Sequence, residues 1–86
     1  MNFKMIANIP ELTAKEQFEK VLEEVLELKE AIELKDNKKI MEEGLDVIQA
    51  IFTLFKVLKI DKEIREGLKL HNKKLRKRKW KLEKIN

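Results

Sequence analysis

The chain has 86 residues, 42% of them charged, a net charge of +4, two glycines, one proline and no cysteine. That length allows one small domain over residues 1–86, with its core at about 13–80. The composition excludes a disulfide framework, a thiolate metal site and a thiol nucleophile, and a lone histidine, His71, excludes a histidine-rich metal site.

In chain order, Met1 to Pro10 has too short an apolar stretch and too little positive charge for a signal peptide. Thr13 with Glu16 three residues later fits a capping box at a helix start. Phe18, Val21, Leu22, Val25, Leu28 and Ile32 then recur at spacings of three and four, an amphipathic helix ending near Lys35. Asp36 and Asn37 supply a break and a new N-cap, and the second helix is expected over about 38–58. Ile60-Asp61 marks the next turn, with Asp61 as N-cap, and a third helix is expected from Lys62 to about Lys84, weakened at Gly67.

The second helix carries apolar side chains around nearly its whole circumference from Val47 to Leu58. Such a helix demands burial on all sides, and three helices in a chain this short scarcely enclose it. The expectation is therefore an all-α fold of antiparallel helices forming a bundle completed by oligomerisation. Ile48, Ile51, Phe52 and Phe55 are candidate interface residues. The same run is only twelve residues long and includes Gln49, Thr53 and Lys56, against about 20 apolar residues for a bilayer span, so no membrane partner is expected. The absence of cysteine is compatible with a cytoplasmic location.

Two acidic pairs stand out. Glu24 and Glu27 on the first helix, and Glu43 and Asp46 on the second, each have the three-residue spacing that puts two side chains on adjacent turns of one face. In an antiparallel hairpin turning near Asp36 the pairs lie at similar distances from the turn and can meet. Four converging carboxylates repel unless cations neutralise them, and hard divalent cations such as magnesium prefer oxygen ligands. Gly44, inside the second pair, is expected to leave room for metal, water or the facing helix. Against this stands the ordinary reading that glutamates such as Glu23, Glu30 and Glu33 are solvated helix surface.

The charge is unevenly divided: residues 1–68 carry a net −4 and residues 69–86 a net +8. An acidic body with a basic end suits one ligand that bears both a cation and phosphates. Lys74 and Arg78 are four apart and share a helix face, and both side chains bind phosphate well. A basic helix end also complements the helix dipole and binds nucleic acid nonspecifically. Trp80 is a candidate for base stacking, although a tryptophan near a helix end more often packs on a core.

The order of these pieces resembles the MazG-like all-α nucleotide pyrophosphohydrolases, whose signature is EExxE, a variable gap and ExxD. Here Glu23, Glu24 and Glu27 are followed, after fifteen residues, by Glu43 and Asp46. The ending HNKKLRKRKW is similar to the HxxKLxxRGW of short, phage-type members at His71, Lys74, Leu75, Arg78 and Trp80. It departs at Lys79, where those members have glycine.

The resemblance covers about residues 13–80 and implies a hydrolase that cleaves a nucleoside triphosphate between its α- and β-phosphates, releasing pyrophosphate and a monophosphate. It implies Mg2+, with Mn2+ as a substitute, held by Glu24, Glu27, Glu43 and Asp46. It gives Glu23 an auxiliary role, with Glu23 or Glu27 accepting a proton from water. Lys69, Asn72, Lys74 and Arg78 would contact substrate phosphates in a homodimer or homotetramer. The alternative is a small nucleic-acid-binding module using the basic C-terminal helix, although the acidic pairs oppose nucleic acid as a partner. A third reading is a silent oligomerisation domain built around the second helix.

Overall fold

The computed structural model describes residues 2–9 and 11–85. Met1, Pro10 and Asn86, which belong to the domain expected over 1–86, lie outside the described residues. Helix α1 spans Ala14–Glu33 and begins with the capping box read from Thr13 and Glu16. The Glu16 N–H donates to Thr13 Oγ1 at 3.1 Å, and the Thr13 N–H donates to Glu16 Oε1 at 3.0 Å. Helix α2 spans Asn37–Val57, and the carboxylate of its N-cap Asp36 accepts from the Lys39 N–H at 3.2 Å. Each cap satisfies backbone donors that the first helical turn leaves unpaired.

The third helical segment departs from expectation at both ends. Asp61–Glu63 form a 3-10 turn capped by Ile60, with no side-chain cap bond, so Asp61 does not serve as N-cap. Helix α3 follows over Ile64–Lys77 and stops seven residues before Lys84. Its end is a Schellman motif: Lys79 adopts φ 65°, its N–H reaches Arg76 O at 2.9 Å, and the Trp80 N–H reaches Leu75 O at 3.1 Å. The same pair of bonds closes α1 at Lys35 (φ 57°) and α2 at Lys59 (φ 61°). The left-handed turn that glycine usually makes at this position is therefore made three times by lysine. Leaving glycine out at Lys79 keeps the turn and costs backbone strain.

Helices α1 and α2 pack as an antiparallel hairpin. Gln17, buried on α1, clamps the pair by donating Nε2–H to the Ala50 carbonyl of α2 at 3.0 Å. An N-terminal strap, residues 3–9, lies against α2. Gln49 holds it as a neighbouring strand would: Oε1 accepts from the Ile6 N–H at 3.2 Å and Nε2 donates to Lys4 O at 2.8 Å. Phe3 meets Phe52 edge to face, with ring centroids 5.4 Å apart.

Helix α3 leaves this body. Among the described residues, no Cα of α3 lies within 8 Å of one in α1 or α2. An apolar groove of about 390 Å³, lined by Phe52, Phe55, Ile60, Ile64, Gly67 and Leu68, separates the end of α2 from the start of α3. The all-α class holds, with no strand among the described residues, but one chain does not close a bundle. Within α2 only Thr53 is buried, Ile48 is exposed, and Ile51, Phe52 and Phe55 are half-buried. The burial that α2's composition demands is thus missing from the single chain. Among the described residues, no helix is long and apolar enough to cross a membrane.

Candidate metal centre

One face of each hairpin helix builds the site. On α1, Gln17, Val21, Glu24, Leu28 and Ala31 follow one another at spacings of three and four, and Val21 and Ala31 are the buried apolar residues. Glu24 therefore points along the packed face, where helix geometry carries it toward α2. On α2, Glu43, Asp46, Gln49 or Ala50, and Thr53 make the matching row. The rows meet where the acidic pairs sit.

Glu24, Glu27 and Glu43 each offer a carboxylate oxygen, and the three lie within 4.8 Å of one another. Glu24 and Glu43 are half-buried and Glu27 is exposed. Glu24 Oε2 and Glu43 Oε2 are out of contact with solvent and have no hydrogen-bond partner. Among the described residues the ion pairs are Lys29–Glu33 at 3.9 Å and Glu66–Lys69 at 3.2 Å, and neither reaches the triad. Buried carboxylate oxygens without donors are costly.

The acidities register that cost. Burial pushes the Glu24 carboxyl above its ordinary value, followed by the charges of Glu27 and Asp46, the close approach of the Glu27 carboxyl and the charge of Glu43. Burial likewise raises Glu43, helped by the close approach of the Glu27 carboxyl and by the charges of Glu27 and Asp46, while Lys39 works weakly in the opposite direction. A proton or a bound cation would relieve the repulsion that raises both carboxyls.

The donor set fits a hard divalent cation. All donors are carboxylate oxygens, two of them already stripped of water. Ligands of one octahedral magnesium ion at about 2.1 Å lie about 3.0 Å apart when adjacent and about 4.2 Å apart when opposite, so three oxygens within 4.8 Å of one another would draw closer together around a shared ion.

The remaining expected site residues fall into two groups. Asp46 is exposed and lies outside the triad, yet its charge acts on both raised carboxyls. Glu23 is exposed and lies outside the triad. Lys69, Asn72, Lys74 and Arg78 are exposed on or just after α3 and are not brought to the carboxylates within the chain. Lys69 Nζ is engaged by Glu66 Oε1. Trp80, 65% exposed, does not pack on the core.

A second open cavity of about 390 Å³ adjoins the triad, with Glu24 and Asp46 in its wall together with Lys20 and the strap residues Ile6 and Ile9. The packing of residues 3–9 as a strap, and the place of Gln17, Gln49 and Thr53 in the wall of a cavity beside the acidic pairs, are not among the expectations drawn from the sequence. The available signal was a Gln or Thr at core spacing from the acidic pairs, on faces otherwise apolar. Gly44 also needs a different account: a Cβ placed there meets no atom within 4 Å, so the facing helix is not what calls for glycine.

Compared with protein families, curated proteins and solved structures, the chain matches no family model, no curated protein and no solved structure.

Proposed function

We propose that this chain is a magnesium-dependent nucleoside triphosphate pyrophosphohydrolase, releasing pyrophosphate and a nucleoside monophosphate in the cytoplasm. The observation that carries the reading is the convergence of Glu24, Glu27 and Glu43 with two buried carboxylate oxygens lacking any donor. The sequence resemblance in EExxE and ExxD supports the reaction class.

Glu24 and Glu43 would hold the cation from the buried side, with Glu27 and Asp46 completing the acidic set. Bound magnesium, or manganese in its place, supplies neutralisation of phosphate charge and a lowered pKa for water. Glu27 is the better placed of the two candidate bases, because it belongs to the triad and is exposed, whereas Glu23 lies outside it. Lys20, in the wall of the adjoining cavity with Glu24, is a cation that this chain itself offers to a phosphate. Lys69, Asn72, Lys74 and Arg78 do not reach the triad in one chain, so in this reading they act from the α3 helix of a second copy, in a homodimer or homotetramer.

The test is a panel of nucleoside triphosphates with magnesium, reading pyrophosphate release. Turnover of at least one nucleotide is expected. Glu27→Gln and Asp46→Asn should lower kcat by about 100-fold or more while circular dichroism keeps its helical signal. Near-normal turnover by both variants would remove the metal assignment.

A second reading, a nucleic-acid-binding module, draws support from the separation of α3 from the hairpin and the exposure of its basic side chains. It requires DNA or RNA affinity that falls steeply with salt, without magnesium-dependent turnover.

A further inference from the structure

The cavity beside the triad has the makings of a ligand site that extends beyond the proposed metal ligands Glu24 and Asp46 in its wall. Its volume, about 390 Å³, lies within the ~300–1,000 Å³ usual for small-molecule pockets. One end is acidic, at Glu24 and Asp46, and the other is roofed by Ile6, Ile9 and Leu12 of the N-terminal segment. Between them Gln17, Gln49 and Thr53 line the wall.

Two of these polar groups keep unused capacity. A side-chain amide has two N–H donors and a two-lone-pair acceptor. Gln17 shows one donor committed, to Ala50 O, and Gln49 commits one donor to Lys4 O and accepts once from Ile6 N–H. Each amide therefore has a second N–H for a ligand. A lining that combines the apolar Ile6, Ile9 and Leu12 with two side-chain amides suits a heterocycle with hydrogen-bonding edges.

We infer that the cavity beneath the N-terminal strap holds the base and sugar of the nucleotide, with Gln49 as the positioning residue that fixes the strap as its outer wall. This rests on the pyrophosphohydrolase reading, which places the phosphates at the carboxylates where the cavity ends. Gln49 acts through the strap: its amide replaces the strand partner that residues 4–6 lack, and without it only packing such as that of Phe3 on Phe52 retains the roof.

The experiment compares two probes in the presence of Mn2+, both measured by calorimetry on the full chain. One is the set of α,β-imido deoxynucleoside triphosphates of adenine, cytosine, thymine and uracil, and the other is inorganic tripolyphosphate. Wild-type protein should bind at least one nucleotide more tightly than tripolyphosphate. Gln49→Ala should weaken that nucleotide about tenfold, as expected for losing the paired bonds that hold the roof, and leave tripolyphosphate unchanged. Ile9→Trp, which fills the cavity while keeping the Gln49 bonds, should do the same and decides the matter if Gln49→Ala unfolds. Tripolyphosphate binding as tight as every nucleotide, or folded variants that weaken both probes alike or neither, overturns the inference while sparing the hydrolase reading. A wild-type protein that binds neither probe overturns both.

Discussion

At the scale of single residues, the energetics turn on two raised carboxyls. A carboxyl whose folded pKa lies above its unfolded value contributes stability that is present at low pH and lost as pH rises through the folded pKa. Glu24 and Glu43 are raised from about 4.5, so the metal-free protein should become more stable as pH falls from 7 toward the ordinary carboxylate range. Glu16 runs the other way: bonding to the Thr13 backbone and hydroxyl lowers its pKa, so its contribution persists over that window and fades only at more acidic pH. Thermal melts from pH 7 to 5 without metal should show Tm rising, and magnesium at pH 7 should produce a similar rise by replacing the proton. A flat profile that magnesium does not alter contradicts the repulsion argument. Lys79 offers an independent residue-scale test. Its φ of 65° is strained for a side chain with a Cβ, and Lys79→Gly should gain about 0.5 kcal/mol after the larger entropy of the unfolded glycine chain is counted. Chemical denaturation checks the sign.

At the scale of elements, what could be read in advance follows the range of the forces involved. The starts of α1 and α2 depend on one side chain and the backbone three residues away, so Thr13, Glu16 and Asp36 announce them. Helical spacing and a short turn led to an expected meeting of Glu24 and Glu27 with Glu43 and Asp46; three of the four carboxylates converge, and Asp46 lies outside the group. The limits of α3 did not follow: Asp61 enters a 3-10 turn, and the basic run after Lys77 has no packed face to hold it helical. The strap was hidden for a related reason. Its bonds to Gln49 span more than forty residues and leave no local periodicity. Gly44 makes the final point about α2: since a Cβ meets nothing within 4 Å, Gly44→Ala should stabilise the helix by about 0.5–1 kcal/mol. A loss of stability in denaturant titration would mean that the glycine has a conformational role.

At the scale of the whole molecule, the single chain exposes more surface than its mass warrants. A folded monomer of 10.3 kDa is expected to expose about 5,400 Å², whereas this chain exposes 7794 Å². Its radius of gyration, 14.7 Å, likewise exceeds the roughly 12 Å of a compact domain of this length. The excess is of the order that obligate homo-oligomers bury, and Phe18, Leu22, Val25 and Ile48 are among the large apolar side chains left exposed. Sedimentation equilibrium at micromolar concentration should return two or four times the chain mass, and Ile48→Asp should lower it. A mass of one chain would contradict the assembly and leave the basic α3 residues without a route to the triad.

The central claim is that Glu24, Glu27 and Glu43 form a divalent-cation site, and manganese titration by calorimetry tests it most directly. Wild-type protein should bind Mn2+ in competition with Mg2+, and Glu24→Gln and Glu43→Gln, with helices intact, should each weaken binding by about tenfold or more. No manganese binding by the wild type, or binding unchanged in both variants, would contradict the account.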